Sequence, residues 1–567
     1  MQLTFEKRPS WLDRPLLSTI TLNAETILFV TILILGFASR LFDLQARVMS
    51  HDENSHVYYS WLLSTGQGYK HDPITHGPFQ FHVVALSYFL FGDNDFTARV
   101  PAALFSVATI AFMWFYRRYL GRAGALVAAL LLLISPYMLF YGRYVRNEAF
   151  VAFWGVITLW AILRYIEVGQ TRYLFYLVAA TSLHFATKET AFIYTAEALI
   201  FLGLYFIYRI TRKTWAVPQN RNYFLIALML ALLLVAAAGG IGLISRASTP
   251  LSATETAAPA VPGQGVEQTA GLGANMLPLV LAGLAAIALL AGLYFLIRGF
   301  TWQGLRNERS FDLLILLSTL VMPMLAPFPV KILGLDPINY NDTQALTVTA
   351  IFVVILTIIA VGIGLLWKPR LWLLNAALFY VIFTVLYTTV FTNGFGFFTG
   401  LVGALGYWLK QQGVNRGSQP LYYYALIQIP VYEYLPALGS LLALALAFIR
   451  KRSLAAPEEN EEVSAIASSQ TSEVARIASN QAQEISENDE IENPPVLPLL
   501  GFWAVMSLIA FSFAGEKMPW LTVHITLPMI LVTSWALGQV IDAIDWKAFR
   551  SQRGPQTILL LIIFILR

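Results

Sequence analysis

The 567 residues contain no cysteine, which excludes a disulfide framework, a zinc-thiolate site and a thiol nucleophile. Charge is also scarce. Only 12% of residues are charged against 57% hydrophobic, a balance that cannot cover a soluble surface. The net charge of +4 comes with no basic stripe, so nucleic acid is not an expected partner. The N-terminus carries Lys7, Arg8 and Arg14 but lacks the short apolar core and small-residue cleavage site of a signal peptide. Residues 1–24 therefore read as a retained cytoplasmic tail. There is no fixed-period repeat, and no inverted duplication of the kind found in many secondary transporters.

What is abundant is long apolar sequence. Runs such as 127–141, 225–244, 276–297, 346–367 and 371–391 are apolar on all faces, and about 20 such residues cross the ~30 Å hydrocarbon core as a helix. The fold class is thus an all-α, polytopic integral membrane bundle. The expected spans are 26–42, 101–116, 123–140, 150–166, 173–186, 192–208, 224–244, 276–297, 313–326, 346–367, 371–391, 431–449, 496–513 and 521–540, fourteen in all. With the N-terminus inside, 24 of the 37 Lys and Arg fall in cytoplasmic segments and 12 in external ones, Arg567 being terminal. That is the bias the positive-inside tendency requires. The expected location is the cell membrane, with the active face external.

Residues 25–210 form a first membrane module, interrupted by an external loop, 43–99, whose Tyr, Trp, Phe and Leu content calls for a folded structure. Residues 276–449 form a second module. Between them, 247–275 is rich in Ala, Pro, Gly, Ser and Thr and reads as a flexible external linker. Residues 456–495 carry ten acids against one Arg and read as a disordered cytoplasmic loop. The segment 392–420 is neither span nor linker: its glycines, amides and aromatics fit an interfacial helix and turn, and amides and aromatics are what sugars bind. Residues 496–567 hold the C-terminal helices. The last apolar run, 557–566, makes only ~15 Å of helix, which fits a half-span or a truncated chain.

The loop 43–99 holds five of the seven histidines, His51, His56, His71, His76 and His82, and His51-Asp52-Glu53 follows the first span closely. Acids and imidazoles at head-group depth suggest proton transfer or metal binding, and a plain hydrogen-bonded polar loop is the alternative. The i, i+5 spacing of His51/His56 and His71/His76 is not that of a helical metal pair. No cofactor is therefore implied, although a divalent metal stays open. Further charges sit at external helix ends: Arg143, Arg146 and Glu148 between the third and fourth spans, Lys188 and Glu189 between the fifth and sixth, and Lys517 after the thirteenth. A charge in the membrane costs roughly 2.5–3.5 kcal/mol on insertion scales, so repeated pairing of cation with acid implies mutual neutralisation or a ligand. Snorkelling of each cation to the interface is the plainer reading.

At these residues the chain resembles the GT-C superfamily of polyprenyl-phosphate-sugar glycosyltransferases, related to protein O-mannosyltransferases and the aminoarabinose transferase of lipid A. The resemblance rests on the acid pair Asp52-Glu53, the turn His76-Gly77-Pro78, the run Asp95 to Pro101, Arg146-Asn147-Glu148 and Thr187-Lys188-Glu189. Later stretches, Phe391-Thr392-Asn393, Tyr407 to Val414, Arg416 to Pro420, Tyr432-Glu433 and Gly515 to Trp520, look more like the flippase-activity-associated glycosylation proteins of archaea and bacteria. The large soluble C-terminal domain of the transferase pattern is absent from this sequence, which leaves the acceptor open.

The resemblance implies transfer of a sugar from a polyprenyl-phosphate carrier to a protein or glycolipid acceptor. Asp52 is then the base, with Glu53 in support, and His51, His76, Arg143, Arg146, Glu148, Lys188, Glu189, Arg416 and Lys517 are the candidate substrate contacts. The leaving phosphate would be met by Lys517, Arg146 and Lys188. The competing function is a translocator, or an accessory to one, for lipid-linked sugars. That would need polar groups near the bilayer midplane, for which Glu197 is the one clear candidate.

Overall fold

The computed structural model describes residues 23–247, 277–411, 419–455 and 492–554, with 556, 557 and 560. The tail 1–24, the linker 247–275, Arg416, the acidic loop 456–495 and the run 557–566 lie wholly or mostly outside them. Every regular element among the described residues is helical.

The loop 43–99 is folded, as its aromatic content requires. It leaves α1 (Ala24–Leu41) and forms α2 (His51–Ser64) and α3 (Phe79–Phe91). Helix α2 starts where it does because Ser50 and Glu53 make a reciprocal capping box. Asn94 and Thr97 do the same for α4 (Asp95–Phe112). Next come α5 (Arg117–Ile134), the short α6 (Pro136–Tyr141) begun by Pro136 under a Ser135 cap, α7 (Glu148–Val168), α8 (Arg172–Phe185) and α9 (Thr190–Thr211).

Among the described residues ten helices are long and apolar enough to cross a membrane, or eleven if the pair Tyr423–Tyr432 and Tyr434–Ile449, bent by 109°, is one span. Fourteen crossings are not reached among the described residues. The 40-residue stretch 95–134 is broken by a 3-10 segment at Met113–Tyr116 and by Gly121 at φ 77°, and at ~60 Å of helix it has the length of the two spans expected there. Helix α8 has 14 residues, or ~20 Å, short of the ~30 Å core, and Arg309–Val321 has 13 before its path turns 3-10 at Met322–Leu325.

Helix α7 and the helix Thr522–Asp542 are the most enclosed, while Pro218–Ile241 and Thr343–Trp367 expose most of their apolar surface. Inside this packing sits Arg40, fully buried in α1. Its guanidinium donates to the carbonyls of Leu132 at 2.7 Å and Leu133 at 2.8 Å and to Ser106 Oγ at 3.3 Å. It neutralises the C-terminal end of α5, which offsets the cost of a buried charge.

Candidate active site

The charged motifs of the sequence meet where the loop 43–99, the α6–α7 junction, the α8–α9 junction and the turn before Thr522–Asp542 come together. Gly77 N–H donates to Thr187 O at 3.1 Å and Phe79 N–H to Ala186 O at 2.8 Å, so the His76-Gly77-Pro78 turn lies backbone to backbone on the α8–α9 junction. A Cβ on Gly77 would stand 2.2 Å from Ala186 O, so only glycine permits this approach. His76 itself adopts φ 69°, a left-handed conformation that surrounding contacts must hold.

Two of those contacts involve side chains of other motifs. His76 Nδ1 lies 2.8 Å from a Glu189 carboxylate oxygen, and His76 O accepts from His71 Nε2 at 3.1 Å. Burial works to raise the Glu189 carboxyl, but His76 beside it, its hydrogen bonds and Lys188 hold it below the usual carboxylate range. With Nε2 as donor, His71 Nδ1 accepts from the Thr399 hydroxyl at 2.7 Å. Burial pushes the His71 imidazole down to about 4.

The consequence of that shift for stability has a definite sign. Between the ordinary imidazole value of about 6.5 and the folded value, the unfolded chain binds a proton that the folded chain refuses. The stabilisation from neutral His71 is therefore complete above pH 6.5 and lost as the pH falls toward 4. Thermal unfolding in detergent should show wild type losing up to about 3 kcal/mol over this window relative to His71→Gln. Parallel pH profiles for the two proteins would contradict it.

The acid pair divides sharply. Glu53 is fully buried and accepts from Arg99 at 2.9 and 3.1 Å, Arg47 at 2.8 Å, and the Ser50 and Val145 N–H groups at 3.1 Å each. Burial alone would raise its carboxyl, but Arg99 and the two N–H groups outweigh this and lower it. Both oxygens are occupied, so Glu53 ties α2 to α4 and to the α6–α7 junction. Asp52 is the open one: its side chain is 40% exposed and its single strong partner is Arg146 Nη1.

Arg146 is the centre of the cluster. Besides Asp52, its Nε lies 3.4 Å from Glu148 Oε2, and its guanidinium stacks 3.6 Å from the centroid of Trp520. Glu148 is fully buried and receives the Lys188 ammonium. Trp520 also lines a pocket whose walls carry His76, Lys188, Glu189, Trp408 and Gln411.

Other expected contacts fall elsewhere. Arg143 is spent on the carbonyls of Ser39 and Asp43 at the end of α1. Lys517 turns back onto Ala514 O at 3.1 Å, while its neighbour Glu516 lines the pocket. The His51 side chain is 99% exposed and lies 3.8 Å from Asp52. Among the described residues no three His, Asp or Glu side chains gather as metal ligands. The loop's other histidines go into separate hydrogen bonds and ring contacts. Sequence reasoning placed none of Arg47, Arg99 or Trp520 among the substrate contacts. Arg99 and Trp520 lay within recognised motifs, but a stacking partner 374 positions from Arg146 leaves no trace in local pattern.

Residues 75–239 match the family model described as dolichyl-phosphate-mannose-protein mannosyltransferase. The matched stretch includes His76, Arg146, Glu148, Lys188 and Glu189 and begins after Asp52. No curated protein matches the chain by sequence. Among solved structures, ArnT from Cupriavidus metallidurans bound to undecaprenyl phosphate is 14% identical with a TM-score of 0.39, over 95% of this chain and 64% of that one. The apo oligosaccharyltransferase of Archaeoglobus fulgidus is 14% identical with a TM-score of 0.43, over 95% of this chain and 52% of that one. The chain thus spans about half to two thirds of the length of these proteins.

Proposed function

We propose that this chain is a GT-C type glycosyltransferase, a reading supported by the family match over residues 75–239, and that it moves a sugar from a polyprenyl-phosphate carrier to a hydroxyl-bearing acceptor, a protein or a glycolipid, at the external membrane face. The observation that carries the reading is the shared guanidinium of Arg146, which joins an accessible carboxylate, Asp52, to a buried cation–acid pair beside a pocket.

In this reading Asp52 takes the acceptor's hydroxyl proton as the oxygen attacks the anomeric carbon in line, and the bond from that carbon to the phosphate oxygen breaks. The polyprenyl phosphate leaves with the electron pair, its charge met by Arg146 and Lys188. Arg146 must then exchange one anionic partner for another, and its stacking on Trp520 keeps it in place during the exchange. The deep acid that a translocation path would need, Glu197, is buried and bonded to Ser507 Oγ at 3.0 Å, which favours a contact between two helices over a path.

The test is transfer of labelled sugar from a synthetic polyprenyl phosphate by the purified chain in liposomes, to peptide and glycolipid acceptors. Sidedness is checked in the same preparation. In this cysteine-free chain, Val48→Cys should react with an impermeant maleimide from outside intact cells and Arg122→Cys should not, since Val48 is 84% exposed on the first loop and Arg122 76% exposed at the opposite end. The reverse labelling would place the active face in the cytoplasm.

A further inference from the structure

We infer that the helix Ala404–Gln411 is the wall of the pocket that reads the carrier-borne sugar, with Trp408 and Gln411 recognising its hydroxylated ring. This rests on the transferase reading above and deepens it, because the cations beside Trp520 account for a phosphate and leave the opposite wall of the pocket without a ligand.

That wall is built rigidly from its back. At 100° per residue, Gly406 and Lys410 share one face of the helix, with Gly403 just before it, and Trp408 and Gln411 share a face turned about 150° away. The first face is fixed. A Cβ on Gly403 would stand 2.6 Å from Pro73 Cγ, one on Gly406 2.6 Å from Ile338 Cγ2, and Lys410 Nζ is 3.2 Å from Asp336 Oδ2. A π-helical turn at Thr399–Gly403 leads into the helix, and Thr399 is itself tied to His71. With that face docked on Pro73 of the first loop and on Asp336 and Ile338, Trp408 and Gln411 line the pocket together with His76, Lys188 and Glu189.

The chemistry of that face selects the ligand. Gln411 Oε1 is buried with no hydrogen-bond partner, although it lines the pocket. A buried acceptor left unpaired is costly and waits for a donor. A phosphate diester offers only acceptor oxygens and cannot satisfy it, whereas a sugar hydroxyl can. Trp408 adds a flat apolar ring against which the C–H face of a pyranose can lie. Across the pocket, Glu189 provides a further acceptor for hydroxyls. An aromatic face with neutral and acidic acceptors, in which Lys188 is the one lysine or arginine among the described lining residues, suits a neutral hexose attached to the phosphate.

The experiment compares two probes on the full chain in nanodiscs: bare polyprenyl phosphate, and the same lipid bearing mannose, glucose or N-acetylglucosamine. Wild type should bind one of the sugar-bearing forms more tightly than the bare carrier. Gln411→Ala should weaken that binding about tenfold, and Trp408→Ala about ten- to a hundredfold, with bare carrier binding unchanged in both. Trp408→Phe should recover most of the loss, which separates loss of the ring from loss of fold. Equal weakening of both probes, or no change in either, overturns the assignment. If the chain shows Gln411-dependent sugar preference without transfer, the transferase reading falls and the sugar wall stands. If it transfers and Gln411→Ala and Trp408→Ala behave as wild type, the wall falls alone.

Discussion

Asp52→Asn should leave a folded protein that binds carrier and yet transfers sugar ~10²–10⁴-fold more slowly, the range a lost general base accounts for. Folding is expected to survive because the side chain is 40% exposed and asparagine still offers Arg146 an acceptor. Glu53→Gln is the informative contrast. Its carboxylate collects two arginines and two backbone N–H groups at the start of α2, so neutralising it leaves two buried or half-buried guanidiniums short of charge. That variant should lose thermal stability first, with activity following the folded fraction. Measuring transfer per folded molecule separates the two. Normal turnover by Asp52→Asn beside a dead but folded Glu53→Gln would exchange their roles, and full activity of both would sink the enzyme reading.

The second large effect concerns Lys188. Its ammonium and the Glu148 carboxylate are both buried and meet directly. Removing one member of such a pair leaves an uncompensated buried charge, at a typical cost of about 3–5 kcal/mol. Arg146 at 3.4 Å remains as partial compensation, which puts Lys188→Met near the lower end. The double variant Lys188→Met with Glu148→Gln removes both charges and should recover most of the lost stability. It should not recover carrier binding, because the cation for the phosphate is still missing. A titration with polyprenyl phosphate should show the double variant about ten- to a hundredfold weaker than wild type, as expected for loss of one charge-assisted contact. Wild-type affinity in the double variant would show that Lys188 only neutralises Glu148. Lys517, whose ammonium is turned onto Ala514 O, should then be titrated next.

The part of the fold set by composition was legible from the chain. Apolar runs of about 20 residues can only be satisfied as helices in lipid, and the aromatic loop 43–99 had to fold because it has too much apolar surface to stay in water. The span count was less legible. Hydropathy does not report that α8 stops short of a full crossing, or that helical paths break at Gly121 and at Met322–Leu325, since backbone breaks of a few residues scarcely alter a local average. The candidate site divided in a similar way. Each charged motif could be named from its scarcity in an apolar chain, because an ion near lipid must find a partner.

Which partner each ion finds was decided by tertiary structure alone. Asp52 and Glu53 are adjacent in sequence and chemically alike, yet α2 turns one toward Arg99 and a ring of donors and leaves the other on Arg146. Lys188 meets Glu148 across 40 positions, and Trp520 covers Arg146 from the other end of the chain. Gln411 faces the pocket because the glycines one and two turns before it dock on Pro73 and Ile338. By itself the sequence determined that this is a helical membrane protein with its scarce charges concentrated at helix ends, because solvation is a property of each segment. The assembly of those charges into one site belongs to the tertiary structure, because pairing is a property of distances between segments that no single segment contains.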